Sequence, residues 1–184
     1  LLQSFDLSRV RRSPASVNWQ KLQWLNATYL RQLPAAEIRQ ALVAYDADAA
    51  RVLPDNNAWE TYLEAVRGNC HSLGDVVQWW KVLEPQPLTL DSTTREALRS
   101  QDAQRLLRSL RERLRDDKAG QPANLVEVLR EVGRQLGLKG KQLYTPVRLA
   151  LTGQAHGPEL AALAPLIGAE ITLRRLDDAL RNGE

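Results

Sequence analysis

Apolar residues recur along this chain at intervals of three and four positions, which is the spacing of one face of an α-helix. After Asn18, for example, Trp19, Leu22, Leu25 and Tyr29 follow this spacing. No segment shows the sustained alternation of apolar and polar residues that is typical of a half-buried strand. The pattern therefore predicts an all-α protein, folded as an irregular multi-helix bundle.

Capping residues, prolines and glycines divide this pattern into roughly nine or ten predicted helices. In the first part of the chain, the predicted helices are one capped by Asn18 and broken at Pro34, a second to about Arg51, one over residues 58–66, and one capped by Ser72 and ending at Leu83. Further along, one helix begins at Ser92 or Thr93, one is capped by Ser100 and ends at Asp117, and one covers residues 123–136. The last three begin at Thr145-Pro146 (ending at Gly153), begin at Gly157-Pro158, and cover Ala169–Arg181. Residues 84–90, with Pro85 and Pro87, lack periodicity and predict a boundary between two subdomains, residues 1–84 and 85–184.

The composition excludes several classes of protein. A single cysteine excludes an internal disulfide, and one cysteine with two histidines cannot supply the four ligands of a structural zinc site. We therefore expect no metal site. No apolar run is long enough to span a bilayer, so we also expect no membrane partner. The net charge of +3 is mildly basic, which allows a nucleic-acid partner without requiring one.

No catalytic residue is predicted. Cys70 and His71 are adjacent, but no third group orients them, so we interpret the pair as chance adjacency in a break between helices. The chain has no glycine-rich phosphate loop of a known kind. Five arginines in residues 105–117 are interleaved with acidic residues, which favours a solvated helix face over a track for phosphates.

Residues 138–160, LKGKQLYTPVRLALTGQAHGPEL, are dense in signals for the start and end of helices. Arg148 lies inside the short predicted helix, and Lys139 and Lys141 precede it. Helix N-termini with nearby basic groups suit phosphates and base edges. A helical hairpin within a core is an equal alternative from these residues alone.

The same residues resemble the C-terminal anticodon-binding region of bacterial glutamyl-tRNA synthetases, whose pattern is approximately L-K-x-x-x-L-x-x-P-x-R-x-A-L-T-G-x-x-x-x-P-x-L. Residues 5–31 are similar to a second segment of that family, F-D-L-x-R-V-x-x-S-x-A-x-x-x-x-x-K-L-x-W-x-N-x-x-Y-x-R. The match departs from the family at Val17-Asn18, which is commonly an aromatic residue followed by Asp, and it is loose over residues 32–120. The resemblance implies the helical anticodon-binding domain of a class I synthetase.

The resemblance also implies contacts with the anticodon. Arg148 matches the family arginine that contacts it, and Gly157 and Leu160 match two further contact positions. The family often has Thr at the position of Gly157, which puts a side-chain contact there in doubt. A residue in the break at residues 67–71 senses the third anticodon base in the family. We assign that position to Gly68, where the lack of a side chain would permit both C and U.

Basic residues outside the motif are candidates for contacts with the tRNA backbone. They are Lys139 and Lys141, and also Arg11 and Arg12, which form a cluster with Arg9. For the arginine cluster, a bridge to a preceding part of a longer protein is an equal alternative.

The family are class I aminoacyl-tRNA synthetases, in which an N-terminal Rossmann-type domain activates glutamate with ATP. Their HIGH-like and KMSKS-like motifs lie before the segment matched by residues 5–31, and neither occurs here. The chain also begins with Leu1 and contains no methionine, so we expect a fragment.

We expect this fragment to bind tRNA(Glu), with tRNA(Gln) as a second candidate, and to be inactive alone. ATP and Mg²⁺ would belong to the absent catalytic domain, which is the other expected partner, so no cofactor is expected here. The expected location is the cytoplasm or a plastid stroma. The alternative function is a freestanding helical tRNA- or RNA-binding protein, or a protein-interaction module.

Overall fold

The structure, a computed structural model, describes residues 18–53, 56–116 and 125–181. In these ranges the regular structure consists of eleven α-helices and one 3₁₀ turn, without any strand, so the all-α prediction is confirmed. None of the described helices is long and apolar enough to cross a membrane. The helices are α1 (Trp19–Gln32), α2 (Ala35–Tyr45), α3 (Ala47–Val52), α4 (Asn56–Val66), α5 (Leu73–Leu83), α6 (Ser92–Arg99), α7 (Gln101–Asp116), α8 (Leu125–Leu136), α9 (Lys141–Thr152), α10 (Leu160–Ile167) and α11 (Ala169–Arg181), and the 3₁₀ turn is Arg67–Asn69.

Several predicted helix ends are confirmed by their capping hydrogen bonds. The side chain of Asn18 accepts a hydrogen bond of 3.0 Å from the backbone nitrogen of Lys21 at the start of α1. Ser72 and Asp75 form a reciprocal capping box at the start of α5. Gly153 ends α9 in the left-handed conformation, with a φ of 68°. These ends are set by chemistry within a few residues, which is why the sequence predicts them.

The start of α9 corrects the prediction at Thr145-Pro146. The helix begins at Lys141, and Pro146 lies inside it. Leu143, only 5% exposed, contacts the backbone of α8 at Gly133, where an added Cβ would lie 2.8 Å from the Leu143 methyl carbons. Burial of Leu143 therefore extends the helix towards its N-terminus, and this tertiary contact leaves no local signal in the sequence.

Other boundaries differ by smaller amounts. The second predicted helix is divided into α2 and α3 at Asp46, whose backbone is extended with a φ of −152°. Helix α4 begins at Asn56, slightly before the predicted start. The predicted boundaries between residues 117 and 124 lie outside the described residues. The predicted bounds of α11 are confirmed.

One hydrophobic core extends from the first helices to the last. It includes Leu30 and Leu42 from the N-terminal part and Leu163 and Leu180 from the C-terminal part. The division into subdomains at residue 84 stays a prediction, and in this structure the two parts share buried apolar contacts.

A buried arginine joins the ends of two helices. Arg175 of α11 is 2% exposed and donates hydrogen bonds to the carbonyl oxygens of Leu151 (2.5 Å), Val82 (2.6 Å) and Glu84 (2.7 Å). These carbonyls lie at the C-terminal ends of α9 and α5, where backbone acceptors lack partners within the helix and carry partial negative charge. Burial lowers the pKa of Arg175 to about 10, so the side chain is still a cation at neutral pH.

Helix α1 leaves large apolar side chains uncovered by the described residues. Trp19, Leu22, Leu25 and Tyr29 line one groove beside the start of α5, and their exposed fractions range from 42% to 73%. Trp24 on the same helix is 61% exposed. Exposed apolar groups concentrated in this way are typical of contact surfaces.

We expect Arg175→Ala to lower the free energy of unfolding by at least about 2 kcal/mol, because buried carbonyl groups at two helix ends lose a charged donor. Arg175→Lys should recover only part of this loss, since an ammonium group lacks the planar fork. The matched control is Arg134→Ala on the exposed face of α8, expected to change stability by less than about 0.5 kcal/mol. Urea unfolding measures all three, and equal effects of Arg175→Ala and Arg134→Ala would contradict the prediction.

Candidate nucleic-acid interface

Arg148 is half-buried on α9, and its position is fixed by the loop that follows the helix. Its Nη1 donates a hydrogen bond of 2.7 Å to the carbonyl oxygen of Pro158. Burial lowers the pKa of Arg148, and the nearby carboxylate of Glu159 opposes that effect. This is the guanidinium's one hydrogen bond within the described part of the chain, so its other donors are available. A guanidinium fork binds phosphates and guanine edges through paired hydrogen bonds.

The start of the loop is stabilised by Thr152. Its hydroxyl donates to the carbonyl oxygen of Arg148 at 2.7 Å and accepts a hydrogen bond of 3.1 Å from the backbone nitrogen of Gln154. With Gly153 in the left-handed conformation, these bonds turn the chain sharply away from α9. The loop therefore begins with a defined backbone path that places Gln154 next to the end of the helix.

The end of the loop corrects the predicted start of the next helix. Helix α10 begins at Leu160 rather than at Gly157-Pro158, because the carbonyl of Pro158 is bonded to Arg148 instead of to the helix. The side chain of Leu160 is 4% exposed and lies in the hydrophobic core. It therefore offers no open apolar surface to a base in this structure, and a contact between Leu160 and tRNA stays a prediction.

Gly157 lies directly against the indole ring of Trp79 on α5. Its φ is 144°, a conformation that favours glycine, and an added Cβ would lie 2.3 Å from the Cη2 atom of Trp79. The indole ring thus occupies the space that a side chain at position 157 would need. This contact holds α5 and the loop together at the surface.

The predicted break after α4 is the 3₁₀ turn Arg67–Asn69. Gly68 is exposed, and an added Cβ there would meet nothing within 4 Å. The guanidinium of Arg67 forms an ion pair with Glu64, one helical turn earlier, so its side chain points back along α4. Gly68, the position assigned to recognition of the third anticodon base, therefore exposes only backbone atoms. The neighbouring Arg67 is already paired with Glu64.

Cys70 anchors this turn in the core. It is fully buried, and its thiol donates to the carbonyl oxygen of Val66 at 3.3 Å. Burial, and to a smaller extent the charge of Asp75, raise the pKa of the Cys70 thiol to about 12. A buried thiol with a raised pKa is a poor nucleophile, and the interpretation of Cys70–His71 as chance adjacency stays a prediction. Within the described ranges, no three His, Cys, Asp or Glu side chains are grouped to hold a metal ion.

A surface cavity connects the 3₁₀ turn with the loop after α9. Its volume is about 150 Å³, and it is lined by Asn69, His71, Asp75, Gln78, Trp79, Val82 and Gln154. Gly157 lies at Trp79, so the cavity brings together the two regions in which Gly68 and Gly157 were predicted to act. The sequence does not predict Asn69, Trp79 or Gln154 as site residues, because the segments that build the cavity are far apart in the chain.

The predicted backbone contacts are only partly within the described residues. Lys139 and Lys141 are exposed at the start of α9, where a phosphate can approach them. Arg9, Arg11 and Arg12 lie outside the described residues.

Three of the five arginines of α7 form ion pairs with neighbouring helices. Arg111 and Arg115 form ion pairs of 3.1 Å and 2.8 Å with Asp177 of α11, and Arg113 pairs with Glu131 of α8 at 3.0 Å. Three arginines of this helix are therefore engaged with carboxylates rather than left for a phosphate track.

Comparison with known proteins identifies the class. Residues 21–180 match the family model described as an anticodon binding domain. The chain therefore belongs to the anticodon-binding domain family.

The relatives specify which proteins carry this domain. The chain is 31% identical to glutamate–tRNA ligase 2 of Syntrophus aciditrophicus over 98% of its own length and 37% of the relative. It is 27% identical to the glutamate–tRNA ligase of Ligilactobacillus salivarius over 97% of this chain and 37% of that ligase. The chain thus spans about 37% of the length of these relatives.

A solved structure shows the same fold. The crystal structure of a glutamate–tRNA ligase from Elizabethkingia meningosepticum superimposes with a TM-score of 0.71 at 20% identity, covering 98% of this chain and 36% of that one. The resemblance to glutamyl-tRNA synthetases predicted from the sequence is confirmed by these relatives.

We expect Gly157→Ala to destabilise the protein by about 1–3 kcal/mol, because the new methyl group overlaps the ring of Trp79 and the backbone conformation is strained. Gly68→Ala is the matched control, since its added methyl meets nothing and its effect should be close to zero. Thermal unfolding of both variants measures the difference, and a Gly157→Ala protein as stable as the control would show that the Trp79 contact is not tight.

Proposed function

We propose that the chain binds tRNA(Glu) through the anticodon, as part of a glutamate–tRNA ligase. The observation that carries the proposal is the hydrogen bond from Arg148 to Pro158, which fixes a guanidinium at the loop and leaves its other donors for RNA. Anticodon bases are single-stranded and unstacked, so proteins recognise them through their edges and by stacking. The cavity beside Trp79 and the exposed Lys139 and Lys141 offer further contacts to the anticodon loop of a tRNA.

The proposed partner within the same protein is an N-terminal catalytic domain, because the relatives are much longer than this chain. ATP, Mg²⁺ and glutamate would be held there, and we propose no cofactor and no activation of glutamate for the residues present here. The proposed location is the cytoplasm or a plastid stroma, where tRNA is charged for translation.

Arg148→Ala is expected to weaken binding of an anticodon stem-loop by about 1–3 kcal/mol. The melting temperature should stay close to that of the parent protein, since the guanidinium makes one hydrogen bond to a loop carbonyl. Arg134→Ala is the control for the loss of one exposed positive charge. Fluorescence titration at one fixed salt concentration measures the affinities.

Arg148→Lys separates charge from geometry in the same experiment. A lysine keeps the charge but lacks the planar fork, so it should not restore binding to a base edge or a phosphate that needs two donors. A loss of stability in Arg148→Ala with unchanged binding by the folded fraction would mean that the residue is structural, and would contradict the proposal.

The third anticodon base decides between tRNA(Glu) and tRNA(Gln). The contrast of C with U expected above is corrected by the genetic code: glutamate codons begin with G and glutamine codons with C, so this base is C in tRNA(Glu) and G in tRNA(Gln). Gly68 has no side chain, and Arg67 is paired with Glu64. We therefore propose weak discrimination at this base, with tRNA(Gln) as a second ligand.

Two stem-loops that differ only in C or G at this base should bind with affinities within about tenfold, that is, within about 1.4 kcal/mol. Strong discrimination requires a buried donor or acceptor that one base satisfies and the other leaves unpaired, and position 68 supplies none. A preference for C above tenfold that disappears in Arg67→Ala would instead assign the recognition to Arg67.

A further inference from the structure

A groove of about 570 Å³ runs along the outward side of α1, and we call it the α1 groove. It is lined by Trp19, Leu22, Gln23, Leu25, Asn26 and Tyr29 of α1 and by His71, Ser72 and Asp75 at the start of α5. Five of the seven large apolar side chains that the described residues expose belong to α1, and the other two belong to α2. The exposed apolar surface is therefore concentrated at one end of the protein.

Helix α1 is apolar on two sides. Ala27 and Leu30 are 2% and 5% exposed and face the rest of the domain, where Leu30 joins the hydrophobic core. Leu22, Leu25 and Tyr29 follow one another at intervals of three and four residues and form a second apolar face along the groove. A helix that is apolar on opposite sides is typical of one that is buried on both. The second face therefore indicates a partner that packs against α1.

The uncovered surface lies at the N-terminal end of the described chain. Helix α1 is the first described helix, and beyond Tyr45 the described residues expose no large apolar side chain. The last helix, α11, buries Leu176 and Leu180 within the domain. The chain spans about 37% of the relatives described above, so a longer protein has residues to place on this surface. A segment joined to the N-terminal side of α1 would meet the groove at a high effective concentration.

The charges on and beside the groove favour a protein surface over RNA. Asp75 lines the groove, and a carboxylate repels the phosphates of a nucleic acid. The aliphatic side chains of Leu22 and Leu25 offer neither hydrogen bonds nor a stacking surface to a base. Helix α1 carries Lys21 and Arg31 and no acidic residue. The expected partner surface is therefore apolar at its centre, with carboxylates at its edge facing these two cations.

We propose that the α1 groove is the surface on which the part of a longer protein that precedes this chain packs, through apolar side chains edged by carboxylates. The proposal rests on the part of the proposed function that joins the chain to an N-terminal domain, and it adds the residues of the contact. Trp19, Leu22 and Tyr29 lie at its centre, because they are between 45% and 73% exposed and line the groove. Burial of these side chains would stabilise the contact through the hydrophobic effect.

The test measures how fast a maleimide reacts with a cysteine placed in the groove. Leu22→Cys is made in two proteins: this chain, and the natural protein with the residues that precede Leu1. Cys70, the single native cysteine, is fully buried and gives little background. In the longer protein the groove cysteine should react at least about tenfold more slowly, because the reagent must wait for the contact to open.

Two further variants make the labelling result specific. Tyr29→Cys, a second groove position, should show the same protection, which guards against a local disturbance by the first substitution. Gln135→Cys, on the exposed surface of α8, is the matched control and should react equally fast in both proteins. Circular dichroism verifies that each variant is folded before it is labelled.

Equal reaction rates of the groove cysteines in the two proteins would overturn the proposal. A natural protein without residues before Leu1 would overturn it too, as would protection of Gln135→Cys as strong as that of the groove. Protection in this chain alone, on raising its own concentration or on adding an anticodon stem-loop, would assign the groove to a second copy or to RNA instead. The comparison of the two proteins uses no RNA, so failure of stem-loop binding would contradict the proposed anticodon contact and leave this result unchanged.

Discussion

The position of the candidate site depends on the burial of Arg175, a cation whose hydrogen-bond partners among the described residues are backbone carbonyls rather than carboxylates. Burying a charge is costly unless its donors are satisfied. Here Nη1 and Nη2 donate to backbone carbonyls at the C-terminal ends of α5 and α9, while the buried Nε has no partner among the described residues. Those carbonyls need donors in turn, because no helical partner remains for them. Since α5 carries Trp79 and α9 carries Arg148, the same set of hydrogen bonds fixes the two helices that build the site.

The loop after α9 is shaped by the side chains that it contacts. Arg148 donates a hydrogen bond to the carbonyl of Pro158, which lies just before α10. Trp79 fills the space beside Gly157 that the side chain of any larger residue would occupy. The resemblance to the synthetase family places a frequent threonine at position 157. In this chain, the surface available at position 157 is therefore the cavity beside Trp79 rather than a side chain at that position.

The class of protein can be recognised from the sequence because it rests on residues whose type and spacing are visible directly. The pattern around Arg148 and the segment at residues 5–31 are sufficient by themselves to indicate the synthetase family. The sequence predicts the individual residues that contact RNA less completely than it predicts the class of protein. Leu160 lies in the core, and Asn69, Trp79 and Gln154 carry no signal in the sequence, because a cavity wall is formed by residues that meet only after folding.

The sequence by itself determined the helical class and those helix ends that are set within one turn, such as the caps at Asn18 and Ser72 and the glycine at Gly153. A capping hydrogen bond joins residues three or four apart, so the amino acids involved can be read in order. The start of α9, the loop at Pro158 and the burial of Arg175 were decided by the tertiary structure. Each of them depends on contacts between separate helices, and the free energy of such contacts is defined only when the helices have packed.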